Sequence, residues 1–537
     1  MLKKLYKISD IFIVFLASFY LLFFFNTKNF AFLDFIIDNS INKFTEFTCT
    51  FCLLGAIFLL ISFSGLLLKI VLSLLFFCSV IYLYALNKFG TILDENLIAN
   101  ALLSIGHVDE IIDNSLFSYF FFFAFLPSFL LFKTQLQKIN YKIKIATIIV
   151  FLLIITGLIA SYSKTIFTTV VHRYAPINYL SSVVIYLQRF SHNLEAVKNR
   201  VDITEKIKFD YQKNIENLNV VLVIGESLRA DHMQIYDYQQ NTTPKLAKIN
   251  NLLKFKVLAD FNLTSPSVNS LLSHRLKAEY IDIPPETSII SIFKKFGFET
   301  YWYSSQSSKE FGNGILNILG IESDHTFYRD YLLKNNPIAY DETLLPHIET
   351  IDKQKNNFIV LHTFGSHIRF HDRYPADFAV FQPVCQKTPS DCNRQELLNA
   401  YNNTVLYTDH FLTKLFQQFN KTNTIIFFIS DHGQFLGEEN VYGNGNSNND
   451  SEVWKQANTV PMLIYASDSL WQNKFFQQKL LQAKKNVSKP NLTQDIFFDT
   501  VLDCSGFVSD LLTRNLSLCG KLTNYNISTN KYHILGR

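Results

Sequence analysis

Charged residues are scarce in this sequence. Only 18% of its 537 residues are charged, whereas 48% are hydrophobic, and the formal net charge is +4. Proteins that bind DNA or RNA carry a larger excess of Lys and Arg, so we expect no nucleic-acid partner. We find no internal repeat, and the length is sufficient for two or three domains.

Apolar residues are concentrated in the first third of the chain, where they form five segments of membrane-spanning length. These segments are Ile8–Asn26, Phe47–Ser64, Leu66–Leu86, Ser115–Phe132 and Ile145–Tyr162. Five such segments in succession favour membrane spans over buried core helices. We therefore predict a transmembrane domain with five helices at residues 1–163.

The distribution of Lys and Arg predicts the orientation of these spans. Lysines precede the first span and fill the loop 133–144, whereas the loop 87–114 contains five acidic residues and one lysine. We therefore expect a cytoplasmic amino terminus and an exported chain after about residue 163. No small-residue cleavage site follows the first span, so we do not interpret it as a signal peptide.

The exported part contains a connector and a larger domain. Residues 164–217 are the predicted connector, in which the mixed apolar and aromatic stretch Val170–Phe190 can form an amphipathic helix on the membrane surface. Residues 218–537 alternate apolar runs of strand length with helical stretches. This alternation predicts a doubly wound α/β fold, with a mostly parallel sheet and helices on both faces.

The elements of the 218–537 domain can be located approximately. The predicted strands are Val220–Ile224, Phe255–Phe261, Phe298–Tyr303, Asn357–Leu361 and Thr424–Ser430, and the predicted helices are Thr287–Phe296, Asn393–Phe419 and Thr493–Leu502.

Cysteine usage agrees with this topology. Cys49, Cys52 and Cys78 lie in or beside spans, where they act as small apolar residues. The four exported cysteines form two close pairs, Cys385 with Cys392 and Cys504 with Cys519. An even number at short spacing favours disulfides in an oxidising compartment, with the pairing inferred from proximity alone. A cysteine-based metal site is the alternative, but these four lack CxxC spacing.

Polar side chains follow several of the predicted strands. Glu226, His367 and the pair Asp431 and His432 come after three different apolar runs. Because open α/β sheets bind ligands at the carboxyl ends of their strands, we expect these side chains to meet at one edge. Taken alone, an Asp-His pair such as Asp431 and His432 is more often a solvated part of a turn than a metal site.

A fourth loop contains Thr264-Ser-Pro-Ser267 ahead of a predicted short helix, Val268–Arg275. The simple interpretation of Thr264 is an ordinary helix cap. A hydroxyl at a helix amino terminus is also well placed for a nucleophile that must carry a phosphoryl group. Thr264, Glu226, Asp431 and His432 together form an oxygen-rich set with one nitrogen, suited to Zn²⁺ or another divalent cation.

Five motifs occur in a characteristic order behind the five spans. They are Val-Ile-Gly-Glu226-Ser, Thr264-Ser-Pro-Ser-Val, His362-Thr-Phe-Gly-Ser-His367, the run Asn403-Thr-Val-Leu-Tyr-Thr-Asp409, and Ser430-Asp-His-Gly433 with Leu436-Gly-Glu438. In this arrangement the chain resembles the membrane-bound phosphoethanolamine transferases of Gram-negative bacteria, in the alkaline-phosphatase-like superfamily.

The resemblance implies roles for individual residues. The family's zinc ligands match Glu226, Thr264, Asp431 and His432. Thr264 also matches the nucleophile, and Ser265 is the alternative nucleophile if the motif aligns one residue later. His367 matches a histidine that binds substrate phosphate or a second metal. The remaining matches are Lys309 and Asn100 near the substrate, and the disulfide between Cys385 and Cys392.

Two departures from the family pattern are visible. Asn444 stands where the family usually has a second histidine, so we expect one zinc site and assign Asn444 to substrate binding. The loop around Thr264 also lacks the cysteines that many relatives place there, so we expect a more mobile loop.

The resemblance further implies a monomeric enzyme of the bacterial inner membrane with a periplasmic catalytic domain. Phosphatidylethanolamine would be the donor, and lipid A or lipooligosaccharide would be the acceptor. This modification would lower susceptibility to cationic peptides such as polymyxin. Alternatives are a lipoteichoic-acid-like phosphoglycerol transferase and a non-catalytic membrane-anchored relative. A sulfatase would need a Cys-x-Pro-x-Arg motif, and a serine hydrolase centred on Ser227 would need a closing glycine; the chain lacks both.

Overall fold

A computed structural model describes residues 6–25, 41–90, 98, 113–162, 174–274, 286–306, 318–329, 340–444, 451–514, 516–520 and 522. The described residues form two compact units, one up to Gln188 and the other from Arg189 onward. The first unit is helical, and the second is built around a large sheet.

The first unit consists mainly of apolar helices. Its helices are α1 (Asp10–Phe25), α2 (Ile41–Ile61), α3 (Gly65–Phe89), α4 (Ser115–Lys133), α5 (Tyr141–Tyr162) and the start of α6 (Ile177–Lys198). A π-helical turn, Phe121–Phe125, lies inside α4.

Four of the five expected spans are long enough to cross a bilayer. Among the described residues, α2 to α5 each contain an apolar stretch of at least 18 residues, whereas α1 has 16 residues. At 1.5 Å per residue, α1 is about 24 Å long, which is shorter than the hydrocarbon core of about 30 Å. The fifth span therefore stays a prediction.

A polar cluster connects one end of these helices. The short strands β1 (Tyr6–Ser9) and β2 (Thr134–Gln137) pair in parallel, immediately before α1 and after α4. The Lys144 ammonium at the start of α5 forms a buried ion pair with Asp10 and donates to the Ser62 Oγ at 2.9 Å. Because apolar helices lack polar partners of their own, this cluster specifies how their ends meet.

The second unit contains the remaining elements. Its helices are α7 (Ile203–Lys206), α8 (Thr264–Leu271), α9 (Ile289–Lys295), α10 (Leu345–Glu349), α11 (Arg394–Phe419), α12 (Glu452–Ala457), α13 (Asp468–Gln472), α14 (Lys474–Asn486) and α15 (Phe497–Cys504). Its strands are β3 (Phe209–Tyr211), β4 (Asn219–Gly225), β5 (Leu253–Leu258), β6 (Glu299–Ser304), β7 (His325–Tyr328), β8 (Asn357–His362), β9 (Thr424–Ser430), β10 (Phe435–Leu436), β11 (Tyr442–Gly443), β12 (Thr459–Ala466), β13 (Leu492–Thr493) and β14 (Phe507–Ser509).

Eight of these strands form one sheet in the order β13-β5-β12-β9-β4-β8-β6-β7. All neighbouring pairs are parallel except those made by β12, which runs antiparallel to both β5 and β9. Alternate residues of β4 pack into two different hydrophobic clusters, Val220 with Leu222 on one face and Val221 with Val223 on the other. The predicted α/β fold, with a mostly parallel sheet covered on both faces, is confirmed.

The sequence-based boundaries differ in informative ways. The expected strands at β4, β8 and β9 are present, because each is a short continuous apolar run. Strand β12 was missed, since it contains Pro461 and Pro disfavours a central strand. Helix α8 begins at Thr264 and not at Val268.

The buried Asp10–Lys144 pair predicts the effect of a substitution. Lys144→Met leaves Asp10 buried without its cation, so the free energy of unfolding should fall by about 3–5 kcal/mol. Thermal unfolding of the full chain in detergent measures this loss. Exposed Lys142→Met is the matched control and should change little, while the double variant Asp10→Asn/Lys144→Met should recover part of the stability. Equal effects of the two lysine substitutions would contradict the prediction.

Candidate metal and nucleophile site

Two adjacent strand ends bring Glu226, Asp431 and His432 together. Glu226 follows β4, and the other two follow the adjacent β9. All three side chains are at most 1% exposed. One ligand atom from each can be chosen so that all lie within 4.8 Å of one another. The Nε2 of His432 lies 3.5 Å from Glu226 Oε1 and 3.4 Å from Asp431 Oδ2.

Hydrogen bonds fix how these three side chains point. The Nδ1 of His432 lies 2.7 Å from the Gly433 carbonyl oxygen, which can only accept, so Nδ1 carries the proton. With the Nδ1 proton directed to Gly433, Nε2 is the ring nitrogen that faces the carboxylates and can bind a metal ion. Asp431 Oδ1 accepts from the backbone N–H groups of Ser227 and His432, whereas Asp431 Oδ2 is buried without a hydrogen-bond donor.

The electrostatics of this cluster favour a cation. Burial alone would raise the pKa of Glu226, but the His432 and His367 imidazoles and the Ser227 hydroxyl lower it to about 2. Burial and the negative charge of Glu226 raise the pKa of Asp431. The two facing carboxylates and the His432 imidazole therefore fit a divalent metal ion, and one oxygen of Asp431 has no hydrogen-bond donor.

Thr264 contacts this triad directly. Its Oγ1 donates to Glu226 Oε2 at 3.0 Å and lies 3.3 Å from His432 Nε2. Thr264 is the first residue of α8, and Leu263 at the cap position makes no side-chain cap. The alternative of an ordinary helix cap is wrong, because the Thr264 hydroxyl points to the triad.

Ser227 has a different position from the one that a serine hydrolase needs. Its side chain is 1% exposed and donates to Glu226 Oε1 at 2.6 Å. Its φ of 57° costs about 1–2 kcal/mol for a residue with a Cβ. In this conformation the Ser227 N–H reaches Asp431, so Ser227 supports the two carboxylates.

Two glycines of the motifs allow backbone to approach closely. A Cβ at Gly365 would lie 2.8 Å from the Glu226 carbonyl oxygen, and one at Gly433 would lie 1.9 Å from the Ala457 carbonyl oxygen. Gly365 also has a φ of +47°, which favours glycine. Both positions therefore require glycine for the loops around Glu226 and His432 to pack.

The other residues singled out from the sequence have varied positions. His367 is partly buried and close enough to Glu226 to affect its pKa. The backbone carbonyl of Asn444 accepts a hydrogen bond from Asn262, two residues before Thr264. Lys309 and Asn100 lie outside the described residues. Disulfides join Cys385 to Cys392 and Cys504 to Cys519.

The run 403–409 on α11 supports loops around the site. The Thr404 hydroxyl lies 2.7 Å from the Ser366 hydroxyl, and Asn403 bonds to both backbone groups of Phe381. Asp409 accepts from the N–H of Leu246 at 2.7 Å. These contacts hold the chain around the site without joining the metal triad.

Sequence reasoning missed several buried polar residues beside the site. Arg229 is 1% exposed and pairs with Asp231 and Glu438, which ties the loop after β4 to the loop after β9. Gln306 donates to Glu226 Oε2 at 3.3 Å and lies 3.3 Å from the Nε2 of His362. Burial lowers the pKa of His362 to about 4, so that ring is neutral. Arg229 could have been noticed, because it lies only two residues after Ser227 of the Gly-Glu-Ser motif.

Comparisons with known proteins cover both units. A family model described as "Sulfatase" matches residues 218–507, and one described as "Phosphoethanolamine transferase EptA/EptB" matches residues 50–190. The chain is 30% identical over 355 residues to Kdo(2)-lipid A phosphoethanolamine 7''-transferase of Escherichia coli, covering 63% of this chain and 61% of that relative. It is 26% identical to phosphoethanolamine transferase EptA of Helicobacter pylori, covering 84% and 85%.

A solved structure has a similar fold over nearly the whole chain. It is the integral membrane protein lipooligosaccharide phosphoethanolamine transferase A of Neisseria meningitidis, with a TM-score of 0.81, 20% identity, and coverage of 96% of this chain and 100% of that one. At this identity the likeness establishes the fold alone.

The buried carboxylates predict a stabilising effect of metal. Chelation should lower the unfolding temperature of the full chain, and Zn²⁺ should restore it. At a thousandfold excess of Zn²⁺ over the dissociation constant, binding should add about 4 kcal/mol to the free energy of unfolding. Asp431→Asn should abolish this response, because it removes a charged ligand. Exposed Asp377→Asn should leave it intact. A chelator-insensitive unfolding temperature of metal-loaded wild-type protein would rule out the site.

Proposed function

Because the chain belongs to the family whose model is described as "Sulfatase" and its relatives include phosphoethanolamine transferases, we propose that it transfers phosphoethanolamine from phosphatidylethanolamine to lipid A or lipooligosaccharide. The observation that carries the proposal is the position of Thr264. Its hydroxyl lies at the amino terminus of α8, within 3.0 Å of Glu226 and 3.3 Å of His432.

Thr264 is the nucleophile of the proposed reaction. Its oxygen attacks the phosphorus of phosphatidylethanolamine, the bond from phosphorus to the glycerol oxygen breaks, and diacylglycerol leaves with the proton. An acceptor hydroxyl or phosphate then attacks the same phosphorus and frees Thr264. The backbone N–H groups at the start of α8 favour the negative charge of the phosphoryl oxygens.

The neighbouring residues prepare this hydroxyl. Glu226 Oε2 accepts its hydrogen bond and so orients the oxygen lone pairs away from the carboxylate. His367 binds a phosphoryl oxygen or supplies the proton to the leaving oxygen. Glu226, Thr264, Asp431 and His432 would hold one zinc ion, which supplies Lewis acidity and lowers the pKa of a nearby hydroxyl. A second ion is not proposed, since Asn444 replaces a histidine.

The proposed location is the bacterial inner membrane, with the catalytic domain in the periplasm. Strands β1 and β2 pair, so they lie on the same side of the membrane, and an even number of crossings must separate them. Three long helices, α2 to α4, lie between them. We therefore infer that α1 crosses as well, which supports five spans and a cytoplasmic amino terminus.

The amphipathic connector helix is consistent with this location. Leu180, Val184 and Leu187 on α6 are 49%, 53% and 57% exposed and recur at helical spacing. We propose that this apolar face lies in the membrane surface, where the enzyme, as a monomer, meets its lipid substrates. On a lipid A phosphate, the added phosphoethanolamine removes one ionisable oxygen and brings an ammonium group, so the net negative charge falls and cells should become less susceptible to polymyxin.

The experiment follows phosphoethanolamine from labelled donor lipid to the protein. Incubation of the full chain with labelled phosphatidylethanolamine should place the label on the peptide that contains Thr264, detected by mass spectrometry. Thr264→Ala should lose the adduct and reduce transfer by at least about 10³-fold, because the nucleophile is gone. Ser265→Ala is the adjacent control and should keep both.

Two outcomes would contradict this assignment. Full transfer by Thr264→Ala would exclude Thr264 as the nucleophile. Labelling from phosphatidylglycerol in place of phosphatidylethanolamine would instead favour a phosphoglycerol transferase. Mass spectrometry of lipid A from cells with and without the protein would identify the acceptor.

A further inference from the structure

Gln494 is a buried side chain that joins two loops of the site. It lies directly after β13, at the start of a short turn that leads into α15, and is 2% exposed. Its Nε2 donates to the carbonyl oxygens of Ser430 at 2.8 Å and Asp431 at 2.7 Å. Its Oε1 accepts from the backbone N–H of Asp260 at 3.0 Å.

The chemistry of these partners requires an amide. Two of them are carbonyl oxygens, which only accept, and the third is an N–H group, which only donates. A primary amide supplies two N–H donors and one oxygen acceptor, so every polar atom at this position is satisfied. The partners therefore also determine which end of the amide is nitrogen.

The partners belong to the two segments that must meet in the site. The Ser430 and Asp431 carbonyls lie on the chain that carries the Asp431 and His432 ligands. Asp260 lies in the loop after β5, four residues before Thr264, and its carboxylate accepts from Ser270 on α8 at 3.4 Å. Gln494 thus bonds to the ligand segment with one end of its amide and to the nucleophile loop with the other.

The sheet order explains why such a connection is needed. Strands β5 and β9 are separated by the antiparallel strand β12. Their carboxyl ends therefore share no ladder hydrogen bonds. The start of β12 contacts the loop after β5 through the Asn458 carbonyl, which accepts from Ala259 at 2.9 Å. The Gln494 side chain, directly after β13, reaches the carbonyl groups at the end of β9.

We propose that Gln494 is a positioning residue that sets the separation between the Asp431–His432 pair and the loop carrying Thr264. The expected effect of Gln494 on metal affinity depends only on the triad of Glu226, Asp431 and His432. The expected effect on turnover rests on the proposed function. Loss of the amide shifts the ligand backbone relative to Thr264. Metal binding and the rate of nucleophilic attack should therefore fall together, while the affinity for lipid substrate should change little.

The test compares Gln494→Glu with the wild-type full chain in detergent. Glutamate has nearly the same shape, but its acceptor oxygens face the Ser430 and Asp431 carbonyls. We expect the dissociation constant for Zn²⁺, measured by competition with a chromophoric chelator, to rise about 10–100-fold. We expect kcat for phosphoethanolamine transfer to fall by a similar factor with KM within about twofold. Gln477→Glu, exposed on α14, makes the same charge change and should match wild type.

A second variant covers the case in which Gln494→Glu does not fold. Gln494→Asn keeps the amide but is one methylene shorter, so it should show the same pattern more weakly. A folded Gln494 variant with wild-type zinc affinity overturns the proposal, whether or not its kcat falls. Weakened zinc binding without any transfer by the wild type would refute the proposed function and leave the positioning role supported.

Discussion

Two buried carboxylates that face each other are the constraint around which the second unit is arranged. Glu226 and Asp431 come from adjacent parallel strands, and neither reaches solvent. Two like charges in a buried site repel each other, so the structure surrounds them with donors: the Ser227 and His432 N–H groups, the Ser227 hydroxyl and the Gln306 amide. One Asp431 oxygen remains without a donor, and a cation at this position would balance the two negative charges.

The surrounding polar network keeps this arrangement rigid. Arg229 bridges the loop after β4 to Glu438 beyond β9, and Gln494 bridges the end of β9 to the loop after β5. Buried polar groups of this kind are costly unless each is paired, so they specify one geometry. The site therefore depends on residues outside the proposed metal-binding set, and their substitution should disturb it from a distance.

The membrane unit uses the same principle with fewer polar groups. Apolar helices pack without directional partners, and the Asp10–Lys144 pair with Ser62 supplies direction where β1 and β2 meet. The number of spans illustrates the limit of hydropathy. Sixteen residues of α1 are too short to establish a crossing by length, whereas strand pairing supplies an independent argument.

The sequence alone determined the strands β4, β8 and β9 and the residues that follow them, because a continuous apolar run ending in polar residues is a local signal. It also determined the spanning helices α2 to α5 by length and composition. Tertiary structure decided the rest. Strand β12 was not predicted, because it contains Pro461. The Thr264 hydroxyl bonds to Glu226 and is not a helix cap. Gln306 and Gln494 matter only through partners 50 or more residues away in the chain. Such contacts carry no local pattern, since they exist only after the sheet has brought distant strand ends together.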